Sequence, residues 1–272
     1  MAVAQFKLLM ARSLRVAAIG DLHCTRASEG TFHPVFAKVA ESADVLVLCG
    51  DLTDYGTAEE ARVLAKELSA TKLPTLAVLG NHDFESSAAS EVAQILADTA
   101  GVTMLDGTAT EVLGVGFAGV KGFAGGFGER ALQAWGESAT KVFVREAVDE
   151  TLKLESALAR LRTPGRVVLL HYSPVVDTVD GEPREIFPFL GSSRLEEPLN
   201  RYAASVVFHG HAHRGQPEGK TSAGVPVYNV ALPLLQQLYP DRSPFRVVEI
   251  PAQRSDPAPP PVTVSVNREP TQ

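Results

Sequence analysis

Residues that commonly bind metal ions follow five short apolar segments of the chain. Aspartate, asparagine and histidine supply oxygen and nitrogen ligands that suit manganese, iron and zinc alike. Of the seven histidines, only His33 lies outside these clusters, and this concentration of ligand types argues against coincidence. It indicates one hydrolytic site that binds two metal ions. The clusters are Asp21-Leu22-His23, Asp51, Asn81-His82-Asp83, His171 and His209-Gly210-His211-Ala212-His213.

Each cluster comes directly after an apolar run that is typical of a buried strand. The runs cover residues 16–20, 45–50, 76–80, 167–170 and 206–208. Continuous apolar runs of this length are typical of strands that are buried on both faces. In open α/β sheets, ligands bind beyond the carboxyl ends of such strands. We therefore expect all five clusters to share one edge.

Helical patterns alternate with the strands in the first hundred residues. Segments 32–42, 58–68 and 86–96 have the periodicity of amphipathic helices, so this part of the chain follows a βαβ pattern. Short strands are then predicted at 102–105, 111–113 and 115–120, with the turn signals of an antiparallel meander. A longer helix is predicted from about residue 141 to residue 161.

Composition limits the class of protein. The 272 residues, 45% of them hydrophobic, are enough for one large α/β domain with its own core. The formal charge of −7 disfavours a protein that binds nucleic acid, which needs a basic surface. No apolar run approaches the roughly 20 residues needed to span a bilayer. The apolar residues after Arg15 are too few for a signal peptide, so we expect a cytoplasmic protein.

Three segments stand apart from this pattern. The glycine-rich segment 122–128 fits neither phosphate-binding fingerprint, and is either a flexible active-site loop or an ordinary turn. Segment 173–193 contains three prolines and begins just after His171, which is consistent with an ordered, irregular lid over the site. We assign residues 1–250 to the domain and 251–272 to a proline-rich, disordered tail, within which 262–266 alternates like an edge strand.

The two cysteines are too few for a disulfide framework. Cys49 lies within an apolar run and is expected to be a small buried hydrophobe. Cys24 follows His23, and we favour a neutral neighbour of the ligands over a role in binding.

The spacing suggests how two metal ions could be held. Ions ~3.5–4 Å apart need a shared anionic bridge, for which Asp51 at a strand end is the natural candidate. Asp21 and His23 are two residues apart, so on an extended segment they point the same way. His211 and His213 have the same spacing, and one of them could serve each metal. Asn81 and His171 complete the second set.

Five motifs follow one another over residues 21–213: Asp-x-His, Gly-Asp-x-x-Asp, Gly-Asn-His-Asp, His and Gly-His-x-His. Their order resembles that of the calcineurin-like metallophosphoesterase superfamily. The resemblance implies an α/β fold, a four-layer αββα sandwich with a dinuclear metal centre at the carboxyl ends of the strands. It implies two divalent ions, Mn, Fe or Zn. His209 lies outside the motif, so we expect it to be structural or to support a ligand. The implied ligands are Asp21, His23, Asp51 and His213 on the first metal, and Asp51, Asn81, His171 and His211 on the second.

The resemblance also implies catalytic roles for His82 and Asp83. Because Asn81 points at the metal, His82 on the same extended segment should point toward the substrate. In the family this histidine stabilises the phosphoryl group or protonates the leaving oxygen, and the acidic residue after it orients it. Asp83 could equally be the N-cap of the next helix. The implied reaction is attack on phosphorus by a metal-bridging hydroxide.

Departures from the family's pattern narrow the expected substrate. Tyr55 stands where Ser/Thr protein phosphatases have an arginine, and Asp83 replaces their glutamate. The motifs are most similar to those of class III cyclic-nucleotide phosphodiesterases, so we expect a phosphodiesterase that acts on a small phosphate ester. The alternatives are a phosphomonoesterase, a nuclease and a non-catalytic scaffold that binds proteins, although scaffolds of this fold usually lose ligands. The cations that could bind phosphate from loops are Lys121, Arg184 and Arg214.

Overall fold

The computed structural model describes residues 12–252, which form eleven strands and seven α-helices. The strands are β1 Arg12–Ile19, β2 Val45–Cys49, β3 Thr75–Val78, β4 Thr103–Met104, β5 Thr108–Val112, β6 Val115–Gly119, β7 Arg166–Leu169, β8 Val206–His209, β9 Glu218–Lys220, β10 Pro226–Asn229 and β11 Arg246–Ala252. The helices are α1 His33–Ser42, α2 Ala58–Leu68, α3 Ala89–Ala100, α4 Ser138–Arg160, α5 Phe187–Leu190, α6 Glu196–Arg201 and α7 Leu232–Leu238. Short 3₁₀ helices join several of these elements.

The strands form two sheets, each with a parallel centre. The first sheet has the order β11-β1-β2-β3-β4, in which only β11 is antiparallel to its neighbour. The second has the order β5-β6-β7-β8-β10-β9, in which the two edge strands β5 and β9 are antiparallel. Sheets of parallel strands are normally covered on both faces by other elements.

Side chains of alternate strand residues fill three separate apolar layers. Val16 and Val47 of the first sheet pack with Phe117 and Phe208 of the second, so one core lies between the sheets. The other face of the first sheet packs against α1, α2 and α3. The other face of the second packs against α4 and α6. This is the four-layer αββα sandwich that the resemblance implied.

The five predicted strands are present, but they are divided between the sheets. β1, β2 and β3 belong to the first sheet, and β7 and β8 to the second. The expected shared edge is therefore formed where the carboxyl ends of two stacked sheets meet, and is not the edge of one sheet. Apolar periodicity identifies a buried strand, but it carries no information about which sheet the strand joins.

The region after Gly101 differs from the predicted meander. β4 pairs parallel to β3 in the first sheet, and β6 pairs parallel to β7. Only β5 and β6 form an antiparallel hairpin, whose two-residue turn, Leu113-Gly114, has positive φ at both positions. The chain crosses between sheets here, which local turn signals do not reveal.

Several predicted boundaries shift by a few residues. α3 begins at Ala89 and not at residue 86, because a 3₁₀ helix at His82–Phe84 and a left-handed Ser87 occupy the segment before it. α4 covers Ser138–Arg160 and not 141–161. Pro251 and Ala252, which the sequence analysis assigned to the tail, are the last residues of β11 and pair with β1. The rest of the predicted tail, including 262–266, lies outside the described residues.

Both cysteines are buried. Cys49 packs in the core between the sheets, as expected. Cys24 faces the helical layer, and burial raises the pKa of its thiol to about 12. Such a thiol stays protonated, which favours the neutral role over metal binding. Within residues 12–252, no helix combines the length and apolar character needed to cross a membrane.

Replacing Phe117 tests the core between the sheets. Its side chain is fully buried in that layer, so Phe117→Ala should lower the free energy of unfolding by about 3–5 kcal/mol. Val142→Ala is the control, because that side chain on α4 is 70% exposed and should change stability by no more than about 0.5 kcal/mol. Urea denaturation measures both. A loss below about 1 kcal/mol for Phe117→Ala would contradict this description of the core.

Candidate metal centre

The predicted site residues meet where the two sheets end. Asp21 and His23 follow β1, Asp51 follows β2, and Asn81 follows β3. His171 follows β7, and His211 and His213 follow β8. Possible ligand atoms in two of the resulting groups lie within 4.8 Å of one another. The first group is Asp21, His23 and His213, and the second is Asp51, His171 and His211.

Asp51 lies between the two groups. Its Oδ2 is 3.8 Å from His23 Nε2, and its Oδ1 is 3.4 Å from His171 Nε2. One carboxylate oxygen therefore faces each group, as a bridging ligand requires. Asn81 Oδ1 joins the second group, 2.9 Å from His171 Nε2. His211 and His213 divide between the groups, as the sequence suggested.

Two imidazole rings are held so that Nε2 faces the centre. His23 Nδ1 is 3.1 Å from Asp54 Oδ1, which as a carboxylate oxygen accepts the N–H. His23 Nε2 is then buried without a hydrogen-bond partner among the described residues. His171 Nδ1 is likewise 3.1 Å from the carbonyl of Cys49. An N–H donated on one side of the ring, with Nε2 turned inward, is the usual arrangement of a metal-binding histidine.

Burial keeps two of the site's imidazoles neutral. It lowers the pKa of His171 to about 4 and that of His211 to about 3, the latter with a further contribution from His171. Neutral imidazole is the form that binds metals. The hydrogen bond with Asp21 raises the pKa of His213.

The two carboxylates differ in acidity. Burial, followed by the charge of Asp21, raises the pKa of Asp51 to about 6. Burial would also raise the pKa of Asp21, but the hydrogen bond from His213 and the nearby histidines bring it below its usual value. Two buried carboxylates this close cost free energy unless cations neutralise them. The donor set of aspartate, asparagine and histidine fits divalent Mn, Fe or Zn.

The backbone around the site is in the left-handed region at four non-glycine residues. These are Asp21, His23, Asp51 and His211, with φ of 55°, 44°, 46° and 70°. Asp21 and His23 belong to the same group, as we expected. The reason differs, because we assumed an extended segment with alternating side chains and the backbone at both residues is left-handed. Left-handed conformation at residues other than glycine is costly and concentrates at functional sites.

Residue 80 must be glycine because Asp51 lies too close to leave room for a side chain. A Cβ there would overlap the backbone nitrogen and Oδ1 of Asp51. This contact lets the β3 loop lie directly against the proposed bridging carboxylate.

His82 lies beside the two groups, with 37% of its side chain exposed. Its Nδ1 is 2.8 Å from the carbonyl oxygen of Asp54, and its ring packs edge-on against His23 with centroids 4.5 Å apart. The residue belongs to a 3₁₀ helix that follows Asn81, so the segment is not extended as assumed. His82 also approaches His23 and Asp54 closely enough to form a third possible ligand group.

Asp83 does not orient His82, and the role predicted for it needs correction. The carboxylate is fully buried, and its oxygens accept four hydrogen bonds from the backbone N–H of Leu52, Thr53 and Gly80 and the hydroxyl of Thr53. Burial raises the pKa of Asp83 to about 6, although the hydrogen bonds from Gly80 and Thr53 act to lower it. It is not the N-cap of α3, which begins at Ala89. Asp83 instead fastens the β2 loop to the β3 loop.

Asp54 takes the orienting role, which the sequence analysis missed. Its carboxylate contacts His23 Nδ1, and its carbonyl contacts His82 Nδ1. The available signal was the second aspartate of Gly-Asp-x-x-Asp. Tyr172 was also missed, and its ring lies 4.5 Å from that of His211.

His209 is structural. Its Nε2 is 2.8 Å from Thr178 Oγ1, and its Nδ1 is 2.7 Å from the carbonyl of Gly210. The residue is fully buried and belongs to none of the three ligand groups among residues 12–252. It ties the β8 loop to segment 173–193.

The three loop cations are placed differently. Lys121 Nζ lies among the rings of Phe84, Phe123 and Tyr172, 4.9 Å from the centroid of Phe123. Arg184 and Arg214 are both exposed. Of these three, only Lys121 lies among aromatic rings, and one of those rings, Tyr172, packs against His211. Burial lowers the pKa of Lys121.

A family model for calcineurin-like phosphoesterases matches residues 14–215 of the chain. The protein belongs to this family. No curated protein sequence matches the chain.

Solved structures share the fold at low identity. A phosphopantetheinyl hydrolase from Mycobacterium tuberculosis superposes with a TM-score of 0.63 at 17% identity, over 88% of this chain and 97% of that one. TT1561 of Thermus thermophilus gives a TM-score of 0.52 at 18% identity, over 87% and 99%. GAP50, the anchor in the inner membrane complex of Plasmodium, gives 0.52 at 14%, over 81% and 72%. At these identities the similarity shows the fold alone.

Replacing Asp51 tests the bridge. Because one oxygen faces each ligand group, Asp51→Asn should lower metal content and remove hydrolytic activity together. Elemental analysis of the purified protein measures the metal, with a phosphate-ester assay on the same sample. Asp98→Asn on α3 is the control and should change neither quantity, since that side chain is exposed. An Asp51→Asn protein with two metals and full turnover would refute the assignment.

Proposed function

We propose that the protein is a phosphodiesterase that binds two divalent metal ions and hydrolyses a small phosphate ester. The observation that supports it best is the position of Asp51, with one carboxylate oxygen toward the His23 group and the other toward the His171 group. The proposed ligands are Asp21, His23, Asp51 and His213 for one ion, and Asp51, Asn81, His171 and His211 for the other.

The chain's own residues would position the substrate and supply a proton. When bound, two such ions polarise the phosphoryl oxygens and lower the pKa of water toward about 7. His82 Nδ1–H donates a hydrogen bond to the carbonyl oxygen of Asp54, so Nε2 is the ring nitrogen left for the substrate. In the imidazolium form, with both nitrogens protonated, Nε2–H would give its proton to the leaving oxygen and the ring would become neutral. The exposed part of the His82 side chain makes this geometry available to substrate.

The charges near the site favour a diester. A phosphomonoester is a dianion and is normally bound by a cationic clamp beside the metals, whereas a diester carries one charge. Tyr55 occupies the position where protein phosphatases have an arginine, and its side chain is exposed. The ion pairs of Asp21, Asp51 and Asp54 within residues 12–252 involve only histidines.

A non-catalytic scaffold is the alternative from a different class. The similar GAP50 is described as an anchor, so this fold can serve such a role. Retention of every ligand position argues for the enzyme instead, and metal analysis separates the two. The overall negative charge argues against a nuclease.

His82→Ala separates a proton donor from a ligand. The variant should keep both metals, but its kcat should fall by roughly 10²–10⁴-fold, because general acid catalysis typically raises the rate by that factor. A substrate whose leaving group departs easily should lose less, since its oxygen needs little protonation. His33→Ala on α1 is the control and should match the unchanged protein. Loss of metal from His82→Ala would show that this histidine is a ligand.

The substrate class is tested with two chromogenic esters. With manganese present, kcat/KM should be higher for bis(p-nitrophenyl) phosphate than for p-nitrophenyl phosphate, because the site lacks the arginine that protein phosphatases use. A clear preference for the monoester would reject the phosphodiesterase assignment. It would then point to Arg184 and Arg214 as phosphate clamps.

A further inference from the structure

A large cavity opens beside the metal centre, between the loop after β6 and the segment after β7. Its volume is about 700 Å³, which is in the range of small-molecule binding sites. We call it the aromatic cavity, because phenylalanine rings form much of its lining. Two arginines also line it. The residues used below are Phe127, Phe143, Phe187, Phe189, Arg130 and Arg184.

The aromatic cavity adjoins the second ligand group. The carbonyl oxygen of Phe189 is 3.2 Å from His211 Nε2. A series of ring contacts also leads there from His211: Tyr172 at 4.5 Å, then Phe123 at 5.9 Å, then Phe143 at 5.0 Å between centroids. Aromatic rings therefore form a continuous series from the second ligand group to the lining of the cavity.

The walls of the cavity are fixed by backbone hydrogen bonds. Gly125 donates to the carbonyl of Pro188 at 2.7 Å, and Gly126 donates to that of Gly191 at 2.9 Å. Both glycines have positive φ, 147° and 84°, a region that side chains disfavour. The glycine-rich segment is thus pinned to segment 173–193, and the two loops that stood apart in the sequence form one binding wall.

The lining suggests what kind of group would enter. Phe189 is 58% exposed and Val176 is 45% exposed, so a ligand that covered them would gain from burial of apolar surface. Arg130 and Arg184 are exposed and form no ion pair among the described residues. Arg15, Arg145, Arg201 and Arg246, by contrast, are all paired with carboxylates.

We propose that the aromatic cavity binds one alcohol substituent of the phosphodiester, and that this substituent is an elongated apolar group carrying an anion that Arg130 and Arg184 bind. The proposal rests on the proposed function and names its substrate class. Phe143 and Phe189 determine the preference for apolar length, and the two arginines determine the preference for charge. The metal centre and the cavity together then select a diester with one large amphipathic arm.

Binding of one-armed phosphinates tests the proposal without turnover, because both substituents are joined to phosphorus by P–C bonds and no ester bond is present. The probes are n-alkyl(methyl)phosphinic acids with alkyl chains from methyl to octyl, each a monoanion like a diester, titrated calorimetrically into protein with manganese. Kd should fall up to about fourfold for each methylene that is buried. A terminal carboxylate on the longest chain should lower Kd further, by up to about fivefold, as expected for an exposed ion pair.

Variants locate the effect. Phe189→Ala and Phe143→Ala should flatten the dependence of Kd on chain length and leave the Kd of the methyl probe unchanged. Arg130→Gln with Arg184→Gln should remove the carboxylate effect and keep the chain-length dependence. The matched controls are Leu152→Ala on α4 and Arg62→Gln on α2, whose side chains lie outside the cavity lining, and both should behave like the unchanged protein.

The outcomes separate this inference from the proposed function. Measurable binding with a Kd that is independent of chain length would overturn the inference while leaving the phosphodiesterase proposal intact. A chain-length dependence that survives both phenylalanine substitutions would also overturn it, because the arm would lie elsewhere. Strong chain-length dependence in a protein that hydrolyses neither p-nitrophenyl ester would support the cavity and count against the proposed function.

Discussion

The close burial of Asp21 and Asp51 is the constraint on which the rest of the site depends. Two carboxylates removed from water repel each other. Burial, together with this repulsion from Asp21, raises the pKa of Asp51. The neighbouring histidines His171 and His211 are neutral because they too are buried, so His213, which is hydrogen-bonded to Asp21, is left to offset part of the negative charge. Divalent cations would neutralise the rest, and the surrounding nitrogen and oxygen atoms are suited to bind them.

The fold holds these groups together at a local cost. Left-handed backbone at Asp21, His23 and Asp51 is unfavourable for residues with side chains, and it persists only where the surroundings enforce it. Asp83 provides part of that enforcement, because its four hydrogen bonds join the loops after β2 and β3. The apolar core between the two sheets stabilises the fold and so offsets the cost of this strained backbone.

The candidate metal centre and the aromatic cavity are built from different parts of the chain. The side chains that could bind metal ions sit at the ends of buried strands, where backbone hydrogen bonds fix their positions. The aromatic cavity is built largely from two loops, which can change without disturbing the sheets. This separation explains how one fold can serve several phosphate esters, since function lies in the site and its loops and is not set by the fold.

The sequence by itself determined the family, the candidate ligands and most of the strands. Asp21, His23, Asp51, Asn81 and His171 each follow an apolar run, so their types and positions could be read from local pattern alone. The tertiary structure decided what depends on long-range contact: which sheet each strand joins, and how side chains pair. Asp83 was assigned to His82 by adjacency, whereas its hydrogen bonds go to residues about thirty positions earlier and to Gly80. Asp54 contacts His82 instead, because loop packing, which no local periodicity encodes, brought its carbonyl oxygen to His82 Nδ1.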